Sequence, residues 1–517
     1  MDDRSHQGSD ASRVSRRTFL GAASATAGFT IVPRHVLGGA GFVPPSDKLN
    51  LAFIGVGAQG LRVMLNFLKQ PDVQGVAVCD VNQSSADYPQ WGQHEFRNLV
   101  QKLLEVSSGW DWLSPETPIK LSPSLQVTAG VAGRDPCQKI VDAYNGKDNR
   151  SGQSKGCAAY SDFRELLAKE QGVDGVVVCT PDHWHAPVSM AAMKLKKHVY
   201  VQKPSAHIVG EARQMAQAAQ ENGVATQVAV ANSVSKNTRL LCEWIWGGVI
   251  GPVRRVENWS SRPFWPQGID RPQQADPVPA GLDWDLWLGP APERPFNHAY
   301  LPFVWRGWYD FGEGSLGDMG HYSFDTMFRV MKLTAPTKVE ASSTTRYKET
   351  YPLAQIIRYE FPARESMPPV TLTWYDGGLK PARPDELEDD RLLQGPGSDD
   401  GEGLLFIGDE GKILCGFNGE DPRLIPESKM KAFQPPPDSL PQSPGHYREW
   451  IMAAKGGPPA AANLQFEAPV VEAVLLGTVA VQSGEMLRWD SANLRVTNSS
   501  TAQALIEPKY RGQWDPK

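Results

Sequence analysis

Between Leu49 and Asp80 the chain reads L-N-L-A-F-I-G-V-G-A-Q-G-L-R-V-M-L-N-F-L-K-Q-P-D-V-Q-G-V-A-V-C-D, an order that few folds accommodate. An apolar run ends at Ile54 and meets Gly55-x-Gly57-x-x-Gly60. An amphipathic segment, Leu61 to Leu68, follows, then a second apolar run, Val76 to Cys79, and an acid. In a strand–turn–helix–strand unit each part has a mechanical role. Gly55 permits the tight turn, Gly57 lets the backbone approach a diphosphate, and Gly60 lets the helix pack on the strand. The helix then presents free N–H groups and a positive dipole end, so Ala58 and Gln59 join the three glycines as expected cofactor contacts. Asp80, 20 residues beyond Gly60, is placed to accept hydrogen bonds from a ribose 2′-hydroxyl and to repel a 2′-phosphate. The expected cofactor is therefore NAD rather than NADP.

A chain of 517 residues exceeds what one core organises and predicts two or three domains. The net charge of −6, with no dense Lys/Arg stripe, gives no reason to expect a nucleic-acid partner. The six cysteines form no C-x-x-C and no compact framework. Cys79 and Cys179 each end an apolar run, so buried free thiols are expected. At the N-terminus, Ser15-Arg16-Arg17-Thr18-Phe19-Leu20 precedes a mild apolar run from Gly21 to Val32, the pattern of a twin-arginine export signal. That run is too short for a stable membrane span. Residues 1–40 are read as signal and linker, and the protein is expected in the periplasm or associated with the cell envelope. This route carries folded proteins to a compartment with little free NAD, so tight retention of the cofactor is expected.

The nucleotide-binding domain is expected over 48–231. An insertion, about 81–133, interrupts it; Trp91, Trp110, Trp112 and a helix from Phe96 to Val106 place it at the cofactor rim, as a lid, a subunit contact or a surface excursion. Alternation then resumes, with helices at Pro136–Tyr144, Tyr160–Lys169, Ala186–Leu195 and Val209–Asn222. Strands are read at Val173–Cys179, His198–Val201 and Val224–Val230, which predicts a parallel sheet with ligands at its carboxyl ends. Thr180-Pro181 and Gln202-Lys203-Pro204 lie at two such ends. Over 232–517, strands at Val253–Trp259, Lys338–Ser343, Ala354–Phe361, Val370–Trp374, Leu404–Gly408 and Gly411–Cys415 follow one another largely without helices, which predicts a large, mostly antiparallel sheet. Late helices are read at His446–Ala454 and Ala468–Ser483. The fold class is thus α/β: a Rossmann domain followed by an α/β domain with a large open sheet.

The richest chemical segment runs from Trp308 to Asp325, where a glycine-rich turn feeds a helix read over Gly317 to Met331. Asp318 and His321 are three apart and His321 and Asp325 four, so each pair shares a helix face. A histidine flanked by carboxylates suits a general base. The same residues also fit an Asp capping the helix and a His satisfied in a domain interface. Lys203 ends a buried strand, where a cation could hold a substrate hydroxyl and stabilise an alkoxide, or stand exposed after its strand. His183 and His185 flank Trp184 without further ligands, so no metal is expected. Eight of the 16 tryptophans fall between 244 and 308, suited to stacking on sugar rings or to packing a core.

Taken together, Gly55-x-Gly57-x-x-Gly60 with Asp80, Thr180-Pro181-x-x-x-His185, Lys203-Pro204 after His198-Val199-Tyr200-Val201, Trp246-Gly247-Gly248-Val249-Ile250-Gly251-Pro252-Val253 and Gly314-x-x-x-Asp318-x-x-His321 resemble the Gfo/Idh/MocA oxidoreductase family. The resemblance covers nearly all of the chain after residue 47. It implies hydride transfer at a sugar or cyclitol carbon, with Lys203, Asp318 and His321 at the reacting hydroxyl. It also implies cofactor contacts from Thr180, Pro181, His185 and Gln202, and a homo-oligomer (dimer or tetramer) formed through the large sheet. Two departures stand out. The family's usual Glu-Lys-Pro is Gln202-Lys203-Pro204 here, and its usual Asp-x-x-x-His is Asp318-x-x-His321, which rotates the histidine by about 100° and leaves Tyr322 in its place as a further catalytic candidate. A carbohydrate substrate is expected. The alternatives are a redox-neutral glycosidase that oxidises, eliminates, hydrates and reduces, and a non-catalytic sugar- or nucleotide-binding protein on the same fold.

Overall fold

A computed structural model describes residues 44–514 except 123–124, 148–155 and 399, so the twin-arginine motif lies outside the described residues. The chain forms two compact units, Met1–Lys48 and Leu49–Lys517. In the first, Pro45–Asp47 forms a single 3-10 turn.

The second unit begins with β1 (Leu49–Ile54) and β2 (Val73–Cys79), joined by the helix Ala58–Leu68. The insertion supplies β3 (Ser85–Gln90), β4 (Pro118–Ser122) and β5 (Leu125–Ala132), and the domain resumes with β6 (Ala158–Tyr160), β7 (Gly175–Val178), β8 (His198–Val201) and β9 (Thr226–Val228). Six of these form one sheet in the order β6-β2-β1-β7-β8-β9, every pair parallel. β7 and β8 read Gly-Val-Val-Val and His-Val-Tyr-Val, almost wholly buried, as strands covered on both faces must be. Strand order reverses between β1 and β7, and the carboxyl ends at that switch point carry Gly55 and Thr180. The expected parallel sheet is present. It also contains β6, where the sequence reading had a helix starting; the helix begins at Phe163, capped by the Asp162 side chain on the Arg164 N–H.

The insertion is a small domain wall rather than a surface excursion. Its three strands pair in the order β3-β5-β4, and its helix Glu95–Leu104 packs Phe96, Val100, Leu103 and Leu104 into the core shared with the helix Ala58–Leu68. A 2.6 Å ion pair, Arg62–Glu95, fastens it to the cofactor helix.

The second domain carries β10 (Val253–Trp259), β11 (Lys338–Ser343), β12 (Gln355–Phe361), β13 (Val370–Tyr375), β14 (Gly403–Gly408), β15 (Lys412–Cys415), β16 (Arg423–Ile425), β17 (Leu487–Asp490) and β18 (Arg495–Val496). They form one nine-stranded sheet, β16-β15-β14-β10-β13-β12-β11-β17-β18. Only β10 and β13 run parallel; the other neighbouring pairs are antiparallel, so the sheet is mixed with an antiparallel majority. The helix Leu464–Ser483 is 20 residues long and apolar enough to cross a membrane, yet it is mostly buried as a core helix. Asn463 caps its start and Gly484, at φ +69°, its end. It packs against the helix Val209–Asn222, β11 and the helix His321–Met331, so one continuous core joins the two domains. Five cysteines are buried and Cys179 is half-buried, all six as free thiols.

Candidate active site

A cavity of about 510 Å³ opens where the carboxyl ends of the parallel sheet meet the second domain. That is within the range of small-molecule and cofactor sites. Gly55, Gly57, Ala58, Gln59, Asp80, Thr180, Pro181, His185, Gln202, Lys203, Asp318 and Tyr322 all line it. Residues far apart in sequence thus converge on one space.

The turn after β1 has the closeness a diphosphate cradle requires. A methyl group on Gly55 would lie 2.6 Å from the Thr180 N, and Gly55 sits at φ +80°, so side chains are excluded twice over. A methyl on Gly60 would lie 1.9 Å from the Gly55 carbonyl oxygen. Gly60 therefore serves helix–strand packing behind the turn and does not line the cavity. Asp80 accepts from the Val56 N–H at 2.7 Å and the Asn82 N–H at 2.9 Å, tying the ends of β1 and β2 together. Burial pushes its carboxyl up to about 6. Two backbone bonds use only part of the acceptor capacity of a carboxylate, which leaves lone pairs for ribose hydroxyls. The Thr180 hydroxyl is buried against this cavity without a partner of its own, an acceptor-donor free for the same ligand. These features fit NAD.

His185 acts on the frame rather than the ligand. Its ring nitrogens lie 2.6 Å from the Pro204 carbonyl oxygen and 2.9 Å from that of Thr180, so it clamps the two loops that carry Thr180 and Lys203. Burial lowers its pKa to about 4, so the ring carries one N–H, which donates to one of the two carbonyls while the other nitrogen only packs against its neighbour. His183 lies 3.0 Å from the Trp287 carbonyl oxygen in the same structural manner.

At the far end of the sheet Lys203 donates to Asp318 Oδ1 at 2.8 Å and to the Asp318 carbonyl oxygen, and its ammonium stands 4.6 Å over the Tyr322 ring. Arg306 Nε donates to the same Oδ1 at 2.9 Å. Burial works against both charges of the pair. The neighbouring Asp318 carboxylate nonetheless holds Lys203 above its usual range, and Lys203 with Arg306 holds Asp318 well below the ordinary carboxylate range. Two cations meet one carboxylate, so the pocket keeps an excess positive charge where a substrate oxygen would develop negative charge. Arg306 has no motif spacing to announce it; only the fold brings it to Asp318.

Asp182 was also not singled out from the sequence. It lines the cavity at 4% exposure, and burial, opposed by its contact with Glu313 and by Arg306 and Lys203, pushes its carboxyl up to about 7. Burial and Asp182 push Glu313 well above the usual range, so the two neighbouring carboxyls hold a proton between them more readily than an isolated carboxylate does. A carboxyl that titrates near neutrality is matched to proton transfer. Its signal in the sequence was its place right after Thr180-Pro181.

The expectation for His321 is corrected. His321 is 0% exposed, does not line the cavity, and points its Nε2 at Glu467 Oε2, 3.0 Å away on the helix Leu464–Ser483. Burial, then the charge of Lys203, lowers its pKa to about 3. The cause is local winding. Leu316–Gly320 is a π-turn, whose i→i+5 bonding widens the helix before the ordinary helix starts at His321. Residues three apart no longer stack there. Asp318 and Tyr322, four apart, share the face toward Lys203, while His321 and Asp325 face the core. The histidine–carboxylate pairing exists, but as a buried contact between two helices of the second domain. Tyr322 takes the cavity position.

Of the tryptophans between 244 and 308, Trp287 and Trp305 reach the cavity, whereas Trp244, Trp259, Trp265 and Trp308 are core. The insertion contributes Tyr88, Pro89 and Trp91 to the cavity wall, with the Tyr88 ring packed against Gly57.

Comparison with known proteins matches residues 126–230 to the NAD-binding Rossmann fold of an oxidoreductase family, GFO_IDH_MocA, and residues 253–363 to that family's C-terminal alpha/beta domain. A relative from Stenotrophomonas maltophilia (strain K279a) named "Glycosyl hydrolase family 109 protein" is 25% identical over 181 residues, 35% of this chain and 28% of the relative. One of the same name from Shewanella sp. (strain W3-18-1) is 25% identical over 223 residues, 40% of this chain and 37% of the relative. The chain thus spans well under half the length of these curated relatives. Among solved structures, the WlbA dehydrogenase from Bordetella pertussis, in complex with NADH and UDP-GlcNAcA, is similar in fold. Its TM-score is 0.50 at 13% identity, over 86% of this chain and 99% of that one.

Proposed function

Because the chain belongs to the Gfo/Idh/MocA-type oxidoreductase family, we propose that it is an NAD-dependent oxidoreductase acting on a hydroxyl of a sugar, cyclitol or glycoside. The observation that carries this reading is one cavity shared by the glycine turn and by the Lys203–Asp318–Arg306 cluster. NAD bound along Gly55–Gln59, Asp80 and Thr180 supplies a hydride acceptor. Everything else is work for the chain's own residues. Lys203, held charged by Asp318, donates to the substrate oxygen and stabilises it as its proton leaves. Tyr322, beneath the Lys203 ammonium, presents a hydroxyl that both accepts and donates. Asp182 takes up the released proton, because its carboxyl alternates between forms near neutral pH. His185 keeps the Thr180 and Lys203 loops in register.

A redox-neutral glycosidase is the second reading, favoured by the relatives whose names place them in glycosyl hydrolase family 109. The same cluster serves it, since oxidation of a sugar hydroxyl, which acidifies the neighbouring C–H for elimination of the glycosidic substituent, is its first step. Export by the Ser15–Leu20 motif fits either scheme, a self-recycling one above all, and is proposed with both, as is a homo-oligomer through the large sheet.

The test is to purify the protein without added nucleotide, identify what it retains, and present a panel of sugars and glycosides. Accumulating NADH or ketosugar with the glycosidic bond intact supports net oxidation. Released aglycone without net NADH supports the glycosidase. Retained NAD and bound sugar with no turnover across the panel refute both.

A further inference from the structure

Beyond Lys203 the cavity is walled by an aromatic shelf that the hydride chemistry does not use. Trp91, from the insertion, stands 50% exposed, with its ring 5.5 Å from Phe303 and 6.4 Å from Phe264 in edge-to-face contacts. Arg306 links the shelf to the reaction centre: its guanidinium lies 4.4 Å over the Phe303 ring and 4.3 Å over that of Trp305, while its Nε bonds Asp318. Arg262 lies 4.4 Å over Phe264 at the outer edge. All of these residues line the cavity.

The shelf is built, not incidental. The Trp91 backbone N–H donates to Glu95 Oε2 at 2.8 Å, and Glu95 is the residue that Arg62 holds on the cofactor helix. Phe303 sits at φ +69°, a conformation a bulky residue takes only where its surroundings impose it. Half-exposed aromatic faces inside a cavity bind flat, weakly polar rings such as the apolar face of a sugar. Charge narrows the occupant. Arg262 is met by both Asp400, at 2.9 Å, and Glu402, at 3.1 Å, so the outer shelf has no spare cation for a phosphate or a uronate. Its Nε is buried without a hydrogen-bond partner, a donor left for a neutral oxygen.

We infer that Trp91, Phe264, Phe303 and Trp305 form a second subsite that stacks a neutral ring joined to the sugar at Lys203, so that the substrate is a glycoside or oligosaccharide and not a free monosaccharide. This rests on the carbohydrate-oxidoreductase reading above, and the experiment separates the two. Wild-type and Trp91→Ala proteins with NAD bound are assayed with p-nitrophenyl hexosides and N-acetylhexosaminides and with the corresponding free sugars, in parallel with calorimetric binding. Trp91 is half exposed on a turn, so its loss leaves the core intact. Expected is a kcat/KM for glycosides at least about tenfold above that for free sugars, with the preference cut about tenfold in Trp91→Ala. Equal use of free sugars by the wild type, or an equal drop for both substrate kinds in the variant, overturns the subsite. If no probe turns over, the activity reading fails and binding decides the shelf alone. Saturable glycoside binding weakened about tenfold by Trp91→Ala upholds it, and absence of glycoside binding overturns it.

Discussion

Replacing His321 by alanine separates a catalytic from a structural histidine. The side chain is fully buried, and its Nε2 is the partner of Glu467 Oε2, while Glu467 Oε1 already has none. Removing the ring leaves a cavity, which costs about 2–3 kcal/mol for a side chain of this size. It also takes the His321 bond from the buried Glu467 carboxyl, at about 1–3 kcal/mol for a buried polar group. A loss of roughly 3–6 kcal/mol follows, on the order of 10 °C in Tm at about 2–4 °C per kcal/mol. The folded variant should keep kcat within about threefold of wild type, because the ring does not line the cavity. A pH signature accompanies this. The folded state holds His321 neutral with its pKa near 3, whereas the unfolded chain protonates it near 6.5. The unfolded state then binds more protons, so this residue's contribution to stability falls as pH drops from about 6.5 towards 3, by about 2 kcal/mol at pH 5. His321→Gln removes that dependence. Thermal unfolding at pH 7.5 and pH 5, with turnover on the same samples, reads all three effects. A His321→Ala protein as stable as wild type but slowed more than 100-fold would refute the reasoning.

Lys203→Met should lower kcat by more than about 100-fold while retaining nucleotide, measured by turnover and by the nucleotide released on denaturation. Tyr322→Phe should likewise slow turnover by about 100-fold, with Tm moved by less than about 3 °C, since its hydroxyl serves the cavity and not the core. For Asp182→Asn, the acid limb of kcat/KM, where wild-type activity falls as pH drops through about 7 and Asp182 takes a proton, should disappear from the pH profile. Gly60→Ala forces a methyl to 1.9 Å from the Gly55 carbonyl oxygen, so nucleotide retention should be lost together with stability, as read by the nucleotide content of the purified variant.

Much of the fold was legible because it is written in short-range pattern. β8, β10, β11 and the helices Val209–Asn222 and His446–Ala454 have the bounds their apolar runs and caps predict. The three-residue strands β6 and β16 and the short β17 and β18 were missed, since so few residues carry no period. At the site, the glycine turn, Asp80, Thr180, Lys203 and Asp318 were readable because strand ends and motif spacing fix where they lie. His321 was misread because a 3.6-residue period was applied to a π-turn, and its true partner, Glu467, stands 146 residues away on another helix. The structural reading of His321, open in the sequence, is nearer to what the fold realises, with the partner inside the second domain and not across the domain interface. Arg306 becomes visible only through its contact with Asp318, a tertiary fact, whereas Asp182 had its place after Thr180-Pro181 as a signal but not its burial in the cavity. The aromatic residues of 244–308 showed their composition but not which of them face solvent, core or cavity.

In an oxidoreductase of this design, nucleotide and carbohydrate meet at Lys203. The most direct test follows the absorbance of the bound nucleotide when a sugar or glycoside panel is mixed with protein purified without added NAD. The retained NAD should be reduced, at least transiently, by a subset of the panel in the wild type and by none in Lys203→Met. Nucleotide that stays oxidised with every carbohydrate, or that is reduced equally well in Lys203→Met, would contradict it.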